Sequence, residues 1–205
     1  LGGELTEATG RAEFAIDRCH DRIEAVERSQ HGFSHQGLKD GPGVGQPGRL
    51  DHHAIEGGHS NHFTVTKRLM YEDPETWHRL AGLLAEVVSD YLRAQVEAGA
   101  QALQLFDSWV GALDALDYRE FVLPHVTALF AGLRDCGVPL IHFGTGTGHL
   151  LALQREAGGD VIGVDWRTPL DEGWTRAGDG VAVQGNLEPH ALFAPLPRLI
   201  ARVDD

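Results

Sequence analysis

Four short apolar runs, ALQLF ending at Phe106, PLIHF ending at Phe143, VIGV ending at Val164 and VAVQ ending at Gln184, recur along the chain. Each is followed by polar or glycine-rich turn residues and then by a stretch with helical spacing. A strand that must pass through a helix before the next strand begins cannot form a hairpin. Connections of this length imply parallel pairing with right-handed crossovers. The chain is therefore expected to be an α/β protein with strands starting near residues 102, 138, 161 and 181.

The helices between these strands carry their own signals. Asp73 before Pro74 marks a start, because the aspartate accepts from orphan amides and proline fits the first turn. From there Trp77, Leu80, Leu84, Val87, Tyr91 and Leu92 form one apolar face, and Gly99 marks the end. A second helix is expected over roughly 115–134, bent near Pro124, where an intrahelical hydrogen bond is lost. HLLALQREA, a weaker segment from Leu170 to Arg176, and PHALFAPLPRLIARV supply the remaining helices.

Two architectures produce this alternation, and they place function differently. A doubly wound sheet binds its ligand at one switch point, whereas a (β/α)8 barrel draws site residues from several strand ends. Here polar or unusual residues follow every strand: Asp107 and Ser108, Gly144 to Gly148, Asp165 and Trp166, and Gln184 to Asn186. That distribution predicts the barrel.

The strongest counter-signal is LIHFGTGTGHLLALQREAGGDVIGVDW, from Leu140 to Trp166. It resembles the first motif of S-adenosylmethionine-dependent methyltransferases, with Asp165 as the ribose-binding acid. However, His142 stands where that family has an acid before the first glycine. The stretch after Trp166 is also too short for the remaining strands of a doubly wound sheet. A lone glycine motif is weak evidence.

Charge and composition narrow the partners. Seventeen basic against thirty acidic residues give a formal net charge of -13, with no basic stripe to hold a phosphate backbone, so nucleic acid is not expected as a partner. Two cysteines, Cys19 and Cys136, are too few for a disulfide framework. No leader segment or membrane-spanning apolar run is evident, and a cytoplasmic protein is expected.

Residues 1–52 have a different texture. A charged helix over 11–28 is followed by glycine-rich sequence with little to bury, read as loop or disorder. More than half of the 12 histidines lie before Phe63. Without a pre-organised geometry they are expected to be solvated, and no metal site is assigned.

Taken together, IEGGHSNHFTVTKRLMYEDPE, FDSWVGAL, IHFGTGTG, VIGVDWRTPLDE and VQGNLEP resemble the uroporphyrinogen decarboxylase family of haem biosynthesis. The resemblance runs from about His53 to Asp205. It implies a (β/α)8 barrel, commonly homodimeric, that converts the four acetate side chains of uroporphyrinogen III to methyls, giving coproporphyrinogen III without a cofactor. Residue by residue, it implies that Ser108 contacts substrate, that Phe106 walls the cavity, and that His53 stands at the family's substrate-contacting tyrosine.

The family's N-terminal arginine-rich loop, the catalytic aspartate after it and the C-terminal histidine motif have no counterpart here, so no catalytic residue is assigned. A complete barrel takes roughly 250 residues. The chain is therefore expected to be a fragment, a partial barrel over 53–205 that is inactive alone, with residues 1–52 arising from a shifted frame or misassembly.

Two alternatives follow from the same residues. Cobalamin-linked methyltransferases acting on coenzyme M are relatives that ligate zinc at a strand end, but Gly144 stands where their cysteine would be. A degenerate, non-catalytic barrel fragment is the other. Asp165 and Asp107 are expected to be structural at the barrel mouth, and Gly144, Gly146 and Gly148 to keep its rim low for a bulky tetrapyrrole.

Overall fold

Val, Ile, Leu and Phe concentrate in the four runs because a strand covered by helices must be apolar along its length. In the computed structural model, which describes residues 55–56, 60 and 62–204, they form β1 (Leu103–Asp107), β2 (Leu140–Gly144), β3 (Val161–Gly163) and β4 (Ala182–Gln184). All neighbours pair in parallel, in the order β1-β2-β3-β4. Sequential parallel strands with an intervening helix at each step are consecutive units of a (β/α)8 barrel. The described residues thus form a partial barrel. His53 and the expected N-terminal segment 1–52 lie outside the described residues.

Two helices precede the sheet. Helix α1 (Thr64–Glu72) was not expected, since Thr64, Val65 and Thr66 are β-branched and favour strands. Tertiary contacts override that preference: Glu56 Oε1 accepts from both the backbone N–H and the hydroxyl of Thr66, each at 2.9 Å. The glutamate of the EGG motif therefore anchors the first turn of α1. Helix α2 (Pro74–Glu97) starts as expected, with Asp73 Oδ1 accepting from Thr76 N at 3.2 Å. Its buried face runs through Trp77, Leu80, Leu84, Val88 and Leu92, so Val88 replaces the expected Val87 and Tyr91 is exposed. The buried residues Leu84, Val88 and Leu92 follow a spacing of four, so the stripe drifts around the helix and leaves Val87 and Tyr91 on its trailing side.

After β1, a one-turn α3 (Ala115–Asp117) is capped by Asp114 and leads through a π turn, Tyr118–Val122, into α4 (Leu123–Leu133). The bend expected at Pro124 is this widened turn. Leu123 N–H reaches back to Tyr118 O, and Trp77 Nε1 donates to Phe121 O at 2.8 Å. Helices α5 (Leu151–Ala157) and α6 (Leu170–Ala177) follow β2 and β3. The last segment departs from expectation. Instead of one helix it forms a 3-10 turn (Pro189–Phe193) and a separate α7 (Leu196–Asp204). Pro195 between them has no N–H to continue a helical ladder.

Strand alternation sorts the core. Leu103, Leu105 and Leu140 point to the helices and pack with Val88, Leu92, Leu129, Phe130 and Leu133. Ile162 and Val164 do the same against Leu151 and Ala177. The intervening residues, Phe106 on β1, Phe143 on β2 and Gly163 on β3, face the barrel interior.

Candidate functional site at the strand ends

The C-terminal ends of the four strands lie side by side, so their following loops build one rim. Its floor is aromatic. Phe106 and Phe143 are register partners on β1 and β2, and their rings meet edge to face at a centroid distance of 5.8 Å. Phe143 in turn lies over Gly163, its register partner on β3. A methyl at Gly163 would stand 2.6 Å from Phe143 Cδ2 and 2.9 Å from its Cβ. Glycine at 163 is what lets the ring lie across the sheet.

Ser108, half-buried, follows β1 directly. The 3-10 turn after it (Val110–Ala112) starts from Trp109, which makes no side-chain cap. Trp109 is 40% exposed and its ring meets Phe63 edge to face at 5.6 Å. Lys67 Nζ donates to Ala112 O at 2.7 Å, tying α1 to this loop. Phe106 and Ser108 thus occupy the interior floor and the rim of the same strand.

Asp165 organises the next two loops. Its side chain is 2% exposed. Oδ2 accepts from Gly146 N at 2.6 Å and from Arg167 Nη1 at 2.6 Å, while Oδ1 accepts from Arg167 N at 3.0 Å. The carboxylate that mimicked a ribose ligand is engaged by a neighbouring loop. Asp165 is structural at the mouth, as expected. Asn186 Nδ2 donates to Thr168 O at 2.5 Å, clamping the β3 loop from the β4 side.

Two of the three rim glycines have a different reason from the expected one. A methyl on Gly144 would meet Thr147 Cγ2 at 2.5 Å, Gln154 Nε2 at 2.9 Å and the Asp107 carbonyl at 3.1 Å, all packing beneath the rim. One on Gly148 would collide with the hydroxyl of Thr168. Only Gly146 looks into open space, and its φ of +72° is the left-handed conformation that glycine adopts without strain.

His142 points away from the interior. It is fully buried on the helix face of β2, with Nδ1–H donating to Gln154 O at 3.1 Å and the ring 5.1 Å from Phe130. Burial pushes its pKa down to about 4. With His142 behind the sheet and no donor at Gly144, the zinc ligand pair of the cobalamin-linked relatives is not formed. Among the described residues no cluster of three or more His, Cys, Asp or Glu is placed to hold a metal, and no helix is long and apolar enough to cross a membrane.

Sequence reasoning missed Arg167. Its guanidinium is half exposed, held by Asp165 and stacked 4.4 Å from the centroid of the Trp166 ring. The signal was the arginine within VDWRTP, two residues after the acid that drew attention.

The sequence model of the family described as Uroporphyrinogen decarboxylase (URO-D) matches residues 42–205, reaching upstream of the expected start at His53. A protein named uroporphyrinogen decarboxylase from Salinispora tropica is 58% identical over 160 residues, covering 78% of this chain and 43% of the relative. One of the same name from Sorangium cellulosum is 58% identical over 152 residues, covering 74% of this chain and 44% of the relative. A third, from Frankia casuarinae, is 56% identical over 165 residues, covering 79% and 44%. The chain spans less than half the length of the curated relatives it matches.

Proposed function

The chain belongs to the uroporphyrinogen decarboxylase family, and from that premise we propose that its strand-end rim forms part of a site that decarboxylates uroporphyrinogen. The observation that carries this reading is the 58% identity with a protein of that name, which spans most of this chain. The reaction needs no cofactor because the pyrrole ring is its own electron sink. A proton added to a ring carbon creates a cation. The bond from the side-chain methylene to its carboxylate then breaks, its electron pair flows into the ring, and CO2 leaves. A proton adds to the exocyclic carbon to give the methyl, and the ring carbon returns its proton.

In this reading the interior floor of Phe106 and Phe143 supports the macrocycle against water. The Ser108 hydroxyl donates to a substrate carboxylate, and His53 supplies a further hydrogen bond. The protein works in the cytoplasm as a homodimer, following the family. Turnover draws on barrel units that the relatives carry outside the matched stretch, so the chain alone is inactive.

The test is a chimera in which this chain replaces the matching stretch of the Salinispora relative, assayed anaerobically for coproporphyrinogen. The chimera should turn over, the isolated chain should not, and Ser108→Ala in the chimera should lower kcat/KM by about tenfold, the loss of one charge-assisted hydrogen bond. A folded chimera without activity overturns the function. Unchanged kinetics in Ser108→Ala removes the serine from the site.

A further inference from the structure

We propose that Arg167 is a carboxylate-binding residue of the tetrapyrrole site, a fixed cation at the barrel mouth; this rests on the substrate reading above. The strand-end loops, 108–114, 145–150, 164–169 and 185–188, contain no other Lys or Arg. A substrate bearing a carboxylate on every side chain approaching a chain of net charge -13 is repelled overall. Recognition then depends on cations presented locally.

Arg167 is built for that role by three contacts. Asp165 holds the guanidinium at 2.6 Å from one side. The Trp166 ring, 45% exposed, supports its face at 4.4 Å. The loop that carries both is pinned at Asp165 by Gly146 N–H and at Thr168 by Asn186. The rotamer freedom an exposed arginine would lose on binding is therefore already restricted.

Asp165 does not use up the cation. Its negative charge is shared among two backbone N–H groups and Nη1, and the guanidinium has further N–H donors beyond Nη1. Those donors match a carboxylate in a two-pronged geometry that lysine cannot reproduce. The aromatic floor lies on β1 and β2, next to β3, whose following loop carries Arg167, so a macrocycle resting on Phe106 and Phe143 extends its acidic side chains toward the rim that Arg167 occupies.

The experiment is a fluorescence titration of the 205-residue chain with uroporphyrin and with its fully amidated derivative, which keeps the ring and loses the charge. Arg167→Gln should weaken uroporphyrin binding by about tenfold and amide binding by less than about twofold. Arg167→Lys, which keeps the charge paired with Asp165, should recover about half of the loss on a logarithmic scale. Equal affinity of wild type and Arg167→Gln for uroporphyrin overturns the proposal while leaving the substrate reading intact. An equal loss for both ligands also overturns it, since that is what a purely structural arginine would do. No saturable uroporphyrin binding by the wild-type chain also overturns the proposal, while the substrate reading is decided separately by the chimera's turnover. Should Arg167→Gln fail to fold, Arg167→Lys carries the test, and unchanged uroporphyrin affinity in that variant refutes the two-pronged contact.

Discussion

Replacing His142 by leucine should flatten the acid limb of the stability curve. In the folded chain Nδ1–H donates to Gln154 O, and Nε2 has no hydrogen-bond partner among the described residues. Protonation would place an N–H and a full charge among Phe130 and the strand leucines, so the folded ring resists it. Its pKa is about 4 against an ordinary 6.5. Between those values the unfolded chain binds a proton that the folded chain refuses, so stability rises with pH across the window and is lost as pH falls through it. At about 1.4 kcal/mol per unit, the loss reaches about 2 kcal/mol by pH 5 and about 3 kcal/mol by pH 4. That is a large share of a typical ~5–15 kcal/mol. The assay is urea unfolding of wild type and His142→Leu from pH 7.5 to 5. At pH 7.5 the variant should be less stable by about 1 kcal/mol for the lost hydrogen bond, and the two curves should cross as pH falls. His125, also held below its ordinary pKa by burial and by His78, titrates in both proteins and cancels from the difference. A wild-type minus variant difference constant to within about 0.5 kcal/mol over this range would refute the reasoning.

Two further perturbations probe the rim. Asp165→Ala removes the acceptor for Gly146 N–H and Arg167 N–H; because Arg167 is half exposed and its charge is screened, the backbone donors dominate. The expected cost is about 2–3 kcal/mol in urea unfolding, and a loss below about 0.5 kcal/mol would deny Asp165 its organising role. Gly163→Ala drives a methyl into the Phe143 ring, which should destabilise by about 1–3 kcal/mol. Adding Phe143→Leu should recover part of that in the double variant, and strict additivity would disprove the contact.

The fold was legible where local chemistry and tertiary structure agree. Asp73 followed by Pro74 announces a helix start because capping is satisfied within one turn. The four strands were legible because a doubly covered strand is a short apolar run with turn residues behind it. What escaped depends on partners distant in sequence. Helix α1 contradicts its own β-branched start and is held by Glu56, 10 residues away. The structural place of Asp165 was legible, but its partner was not, because the bond to Gly146 spans 19 residues between two loops. The break before α7 was legible in principle, since Pro195 and Pro197 were in view, but the apolar spacing around them imitated one helix.

Phe143 and His142 show why the site was harder to read than the fold. They are adjacent in one strand, and alternation sends one to the barrel interior and the other to the helices. Periodicity alone establishes that the two differ, not which faces where. Register decides it: Leu140 packs against α2 and α4, so His142 two residues on shares that helix face. Phe143 falls in line with Phe106 on one side and Gly163 on the other. A slip of one residue would expose Phe143 to the helix layer and carry an imidazole into the interior, where water would restore its ordinary titration. The low pKa of His142 and the aromatic floor are therefore two consequences of one registration. A titration that found His142 near 6.5 in the folded chain would count against the placement of Phe143, and with it against the floor on which the proposed macrocycle rests.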